Sequence, residues 1–148
     1  AYIDDDFPLS FPVPDMGLVR LTTEETVHYP VNGTLADKEW SVLLPKIDEK
    51  EGFVHLGPNS RPFTVSMVHS LHCLNIMREA LVQAPVSHYE RTHLHHCMNY
   101  ARQMILCAAD TRLNPLSISH NGHQGIDGID LTFTCRDWTV AYRALEEN

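Results

Sequence analysis

The pattern His-x-x-His-Cys occurs twice in close succession, as His69-Ser70-Leu71-His72-Cys73 and as His93-Leu94-His95-His96-Cys97. On an α-helix, at ~100° per residue, the first histidine, the second histidine and the cysteine of each motif share one face. Val65, Ile76 and Ala80 fall in the same sector as the first motif, and Tyr89, Tyr100, Met104 and Cys107 in that of the second. The imidazoles therefore project from apolar stripes of the kind a helix buries. Burying several imidazoles without partners is costly, whereas a metal ion satisfies one nitrogen of each ring. His69, His72, His93 and His96 are thus the expected ligands. His95 points ~160° away from His93 and reads as a surface residue.

The helices that carry the motifs have readable ends. One is expected from Thr64 to about Gln83, stopped before Pro85, and one from about Ser87 to Leu113, stopped by Asn114-Pro115. So short a connection favours an antiparallel hairpin with the two stripes facing. Counting outward from a turn between Ala84 and Pro85 brings His72 level with Cys97, beside His96. The same count separates His69 from His93 by roughly 10 Å along the axis, at ~1.5 Å per residue. It leaves open a shifted register, two ions, or an outer-shell role for some histidines. His120 and His123 on a glycine-rich loop, and His28 and His55, are further ligand candidates, though each reads more readily as a surface residue. All-imidazole ligation suits copper, zinc, iron or nickel.

The rest of the chain supports a single domain. Its 148 residues suffice for one core and are too few for two comfortable ones. Residues 1–30 read as an extended N-terminal arm, with an acidic run at Asp4 to Asp6 followed by Pro8, Pro12 and Pro14. Residues 31–148 read as one metal-binding catalytic domain. A short strand is expected at Leu18–Thr22, a helix starting at Thr34 as N-cap, and a short strand or packed loop over 51–58. Turns are expected through 117–130, and a last helix near Asp137. The fold class is mainly α: an antiparallel helical hairpin carrying the metal site, with additional short helices, short strands and long loops.

Nineteen acidic against eleven basic residues give a formal charge of -8, which argues against nucleic acid or an anionic membrane surface as a partner. No stretch approaches the ~20 apolar residues of a membrane span. The chain begins at Ala1 rather than Met, and we expect a processed form from which a targeting segment has been removed. Four cysteines and the sequon Asn32-Gly33-Thr34 suggest a secretory lumen, with Asn32 as the glycosylation site. The level count brings Cys73 near Cys97, so a bridge between them, with Cys107–Cys135 as its complement, stands beside other pairings and free thiols. Tyr100 and Met104 read either as core or as substrate-facing.

The two motifs, together with Asn99-Tyr100-Ala101-Arg102-Gln103 and Cys107-Ala108-Ala109-Asp110-Thr111, resemble the UstYa-like family of fungal secondary-metabolite oxidases. The resemblance extends upstream to Trp40 and Gly52-Phe53-Val54 and downstream to Cys135-Arg136-Asp137-Trp138; Thr134 stands where many relatives have a nearby histidine. It implies an N-terminal membrane anchor, a lumenal catalytic domain, and His69, His72, His93 and His96 as ligands of copper, one ion or two, with O2 as co-substrate. It further implies oxidative tailoring at C–H or phenolic O–H bonds of a peptide or small molecule: macrocyclisation, hydroxylation, desaturation or halogenation. A homo- or hetero-oligomer with a related protein fits the same picture. Two rivals remain. A zinc hydrolase lacks its general base, because there is no His-Glu-x-x-His and Glu79 and Glu90 sit off the ligand stripe. A non-catalytic metal-binding partner would need the same histidines and no chemistry.

Overall fold

A computed structural model describes residues 2–45, 52–118 and 124–148. Its elements run β1 (Leu18–Thr22), α1 (Ala36–Ser41), β2 (Phe53–Leu56), β3 (Arg61–Thr64), α2 (Ser66–Val82), α3 (His88–Ala108), β4 (Ser117–Ile118), β5 (Gln124–Gly125), β6 (Thr132–Arg136) and α4 (Trp138–Glu146). Helices dominate. Among the described residues the strands form three separate antiparallel pairs, β1 with β6, β2 with β3 and β4 with β5. No described helix is long and apolar enough to cross a membrane.

α2 and α3 occupy the expected stretches and pack as the antiparallel hairpin. α3 starts with a capping box: Ser87 Oγ accepts from the Glu90 N–H at 3.0 Å, and the Glu90 carboxylate accepts from the Ser87 N–H at 2.8 Å. Two otherwise orphaned donors are satisfied at once, and these bonds hold the Glu90 carboxyl below its ordinary pKa. The far end corrects the sequence reading, since α3 stops at Ala108 rather than Leu113. Ala109 turns left-handed, with φ 43° and ψ 45°, and its N–H closes the helix on the Ile105 carbonyl. Asp110 then binds the Arg112 guanidinium, whose Cζ lies 4.1 Å over the Phe133 ring of β6. That ion pair and stacking contact redirect the chain before Asn114-Pro115 is reached.

α1 is also corrected. It begins at Ala36 behind Leu35, which makes no side-chain cap, so Thr34 is not the N-cap. At the C-terminal end α4 starts near Asp137 as expected, and the Asp137 carboxylate caps it by accepting from the Thr139 N–H at 3.0 Å.

The ribbon β2–β3 contains a strand that was not expected. Phe53 pairs with Thr64 and His55 with Pro62; Pro62 is tolerated because a two-stranded ribbon has a free edge on which a missing N–H costs nothing. Gly52, at φ +81°, enters this ribbon, and a Cβ there would stand 2.9 Å from Val68 Cγ1. No other residue fits that approach without displacing the core.

That core is small. Leu44, Val54, Val68 and Leu145 are buried together, joined by Phe11, Leu56, Phe63, Val65, Met67 and Leu71. It binds the ribbon, the start of α2 and the end of α4 into one body, and Phe11 brings in the N-terminal arm. The arm is further held by Tyr2 and Phe7 on Phe63, at ring separations of 6.3 and 5.2 Å. On the other side of the hairpin Arg78, only 5% exposed, donates to Asp37 at 2.8 Å and to the Val31 carbonyl at 3.2 Å, which fastens α1 to α2.

Candidate metal centre

The hairpin brings all four expected histidines together, crosswise. His72 Nε2 lies 3.2 Å from His93 Nε2, and His69 Nε2 lies 3.5 Å from His96 Nε2. The first histidine of each motif therefore faces the second histidine of the other. The level count placed His96 beside His72; the imidazole there is His93, while Cys97 does lie with His72 as expected. The cysteines thus meet at the level the count gives while the imidazoles pair about four residues away from it, because side chains that lean along a helix meet at a different level from the backbone that carries them.

Two triads result, His69/Cys73/His96 and His72/His93/Cys97, in each of which the ligand atoms lie within 4.8 Å of one another. The arrangement has an approximate local two-fold: His69, His72 and Cys73 on α2 correspond to His93, His96 and Cys97 on α3. The separations suit a metal. Two nitrogens each ~2.0–2.1 Å from one ion, at a tetrahedral angle, stand ~3.3–3.4 Å apart, and the two imidazole pairs bracket that value.

The electrostatics favour neutral ligands. Burial, and after it the charges that His96, His72 and His93 would carry, hold His69 below the ordinary histidine pKa. Burial, with the hydrogen bond to Cys73, pushes the Cys97 thiol up to about 12, so it stays protonated unless a metal displaces its proton. A pH dependence follows for the metal-free domain. The unfolded chain takes up the His69 proton near pH 6.5 and the folded chain only at lower pH. The stability tied to this group is therefore whole above pH 6.5 and is lost as the pH falls through the folded value. Melting temperatures should drop as the pH falls below about 6.5, and drop less in His69→Leu.

All four cysteines are free thiols, so neither expected bridge is formed. Cys73 and Cys97 are both fully buried and are hydrogen-bonded to each other beneath the imidazoles. Cys107 is exposed near the end of α3, and Cys135 sits in β6 opposite Val19; neither belongs to a triad.

The remaining candidates divide. Tyr100 stands at the site, its ring centroid 4.2 Å from that of His69. Met104, half-buried one turn further along α3, belongs to neither triad. His95 is exposed and bonded to Asn99, as the helical phase requires. His28 Nδ1 is bound to Glu39 Oε1 at 2.9 Å, and His55 lies on β2; neither joins a triad. His120 and His123 lie outside the described residues. Asn32 is exposed beside Gly33. Sequence reasoning missed a cleft of about 330 Å³ against the histidines, lined by Phe53, Thr64, Val68 and Tyr89 together with His69, His72 and His93. Its earlier signals were Gly52-Phe53, quoted for the family resemblance, and Tyr89 on the stripe of the second motif.

The family described as Mycotoxin biosynthesis protein UstYa matches residues 33–142, a span that contains both motifs. The chain is 34% identical over 87 residues to Oxidase ustYa of Aspergillus flavus, covering 57% of this chain and 40% of that protein. It is 33% identical over 84 residues to UstYa family oxidase phomYd of Diaporthe leptostromiformis, covering 50% and 26%. With phomYb of the same fungus it shares 27% identity over 131 residues, covering 78% and 51%. The matched region thus amounts to about half of each of these relatives or less. No solved structure matches the chain. With most of its length matched by the family, and with both histidine motifs inside the match, the chain belongs to the UstYa family.

Proposed function

We propose that this domain is a copper-dependent oxidase of fungal secondary metabolism, acting on C–H or phenolic O–H bonds of a peptide or small-molecule substrate. The observation that carries the reading is the pair of facing imidazole pairs at 3.2 and 3.5 Å, in a family whose compared members are named oxidases. Copper, when bound, supplies one-electron redox chemistry with O2 as co-substrate. The chain's own residues supply the rest. His69, His72, His93 and His96 hold the metal with neutral nitrogens, and the buried Cys73/Cys97 contact keeps water from the underside. The same reading puts the domain in the secretory lumen with Asn32 glycosylated, downstream of a membrane anchor and in association with a related subunit.

One observation favours zinc instead, namely the thiol in each triad. Against a zinc hydrolase, neither triad contains an Asp or Glu to serve as general base. Elemental analysis of the purified domain, followed by oxygen uptake with copper and a reductant, tests the proposal. Copper retained and oxygen consumed is the expected result; zinc retained with no oxygen uptake overturns it.

A further inference from the structure

We propose that the histidine site is one-sided: the His72/His93 pair meets substrate through the cleft at Phe53 and Thr64, which takes an uncharged apolar group, while Tyr100 positions His69 in the other pair. The proposal rests on the metal-centre reading above and goes beyond it in assigning unequal roles to two halves that the duplicated motif makes alike.

The flanking residues break the local two-fold. Four residues before the motifs stand Val65, the extended N-cap of α2, and Tyr89 on α3, and one turn after them Ile76 and Tyr100. Each imidazole pair therefore has one tyrosine beside it, in different settings. Tyr100 is half-buried, 4.2 Å from the ring of His69 and 6.3 Å from that of His96. A tilted ring at that distance fixes its neighbour's orientation through ordinary aromatic packing. Tyr89 lies 5.7 Å from His93 and is 74% exposed, at the rim of the cleft rather than over a ligand.

The cleft completes the asymmetry. It reaches both members of the His72/His93 pair and only His69 of the other, touching neither His96 nor Tyr100. Its floor is Val68 and its mouth is the cross-strand pair Phe53 and Thr64. No Asp, Glu, Lys or Arg is among the described residues that line it, so a charged group entering would lose its hydration without a partner. At about 330 Å³ it holds one side chain or ring of a larger substrate rather than the whole molecule.

Copper-loaded domain titrated with benzyl alcohol, and followed by the copper(II) EPR signal, tests this. The signal should respond to the probe, and Thr64→Trp, which fills the mouth, and Phe53→Ala, which removes its wall, should each weaken that response by about tenfold in affinity. Benzyltrimethylammonium, of similar shape but charged, should give no response. Without probe, Tyr100→Leu should alter the copper signal and Tyr100→Phe should restore it, since stacking needs the ring and not the hydroxyl. Thr64→Trp and Phe53→Ala both leaving the probe's affinity unchanged would overturn the cleft assignment, and an unaltered signal in Tyr100→Leu would overturn the role of Tyr100. A wild-type domain that takes up no copper overturns the metal-centre reading itself, whereas one that takes up copper but ignores the probe overturns only the inference drawn here.

Discussion

His72→Ala is expected to abolish metal-dependent oxidation and to lower copper affinity by more than about 100-fold, the upper end of what losing a mere outer-shell partner costs. His72 stands 3.2 Å from His93 and shares a triad with Cys97. Its removal leaves His93 facing a gap that no other imidazole fills, because His69 and His96 are engaged with each other. His95→Ala is the control from within the same motif. His95 is exposed and bonded to Asn99, so its loss should leave copper content and turnover within about twofold, the range of an ordinary surface change. Copper content by elemental analysis and oxygen uptake, measured on both variants, separate a ligand from a bystander. Unchanged turnover in His72→Ala would sink the metal-centre reading.

Fold stability should fall less in that variant than function does. His72 is half-buried beside two thiols, and the hairpin is also held by Val68 in the core and by Arg78 against Asp37. Far-ultraviolet circular dichroism of the metal-free variant therefore remains helical while copper is lost. The two readouts together distinguish a missing ligand from an unfolded helix.

What the sequence made legible were the features set by local chemistry. The two long helices, the strand at Leu18–Thr22 and the start of the last helix near Asp137 each depend on residues within a turn or two, and the helical phase alone removed His95 from the ligand set. What it left hidden depended on distant partners. The crosswise pairing of His72 with His93 follows from imidazole reach and from the path of residues 83–87, neither of which a level count contains. The early end of α3 needs Arg112 to find Phe133, and β3 needs β2 to pair with a segment holding Pro62. Arg78 is buried against Asp37, a partner far off in the chain that no local pattern names. The cleft is invisible for the same reason, since its walls come from β2, β3, α2 and α3 together. The level count offers a Cys73–Cys97 bridge beside other pairings and free thiols; it locates the two thiols together, but their oxidation is a property of compartment.

Leu145→Ala should cost about 2–5 kcal/mol, as truncation of a buried leucine does when the surroundings relax only in part. Leu145 is 0% exposed and meets Leu44, Val54 and Val68 in a core with few other members. A loss of this size is a large share of the ~5–15 kcal/mol that holds a domain together. Its consequence reaches the site. Val68 immediately precedes His69, and Val54 immediately follows Phe53 at the cleft mouth, so a cavity at Leu145 loosens both the ligand helix and the ribbon beside it. α4 is otherwise held at that end by the Tyr142 hydroxyl, which donates to the Leu43 carbonyl at 2.7 Å, and by the His55 N–H, which donates to Asn148 at 2.8 Å. Neither bond replaces the lost packing. Urea unfolding of the metal-free domain should show the midpoint lowered with the slope retained, and added copper should recover part of the loss by binding only the folded state. A change under about 1 kcal/mol, the scale of a site that collapses around the deletion, would mean that α4 does not anchor the core on which the histidine site is built.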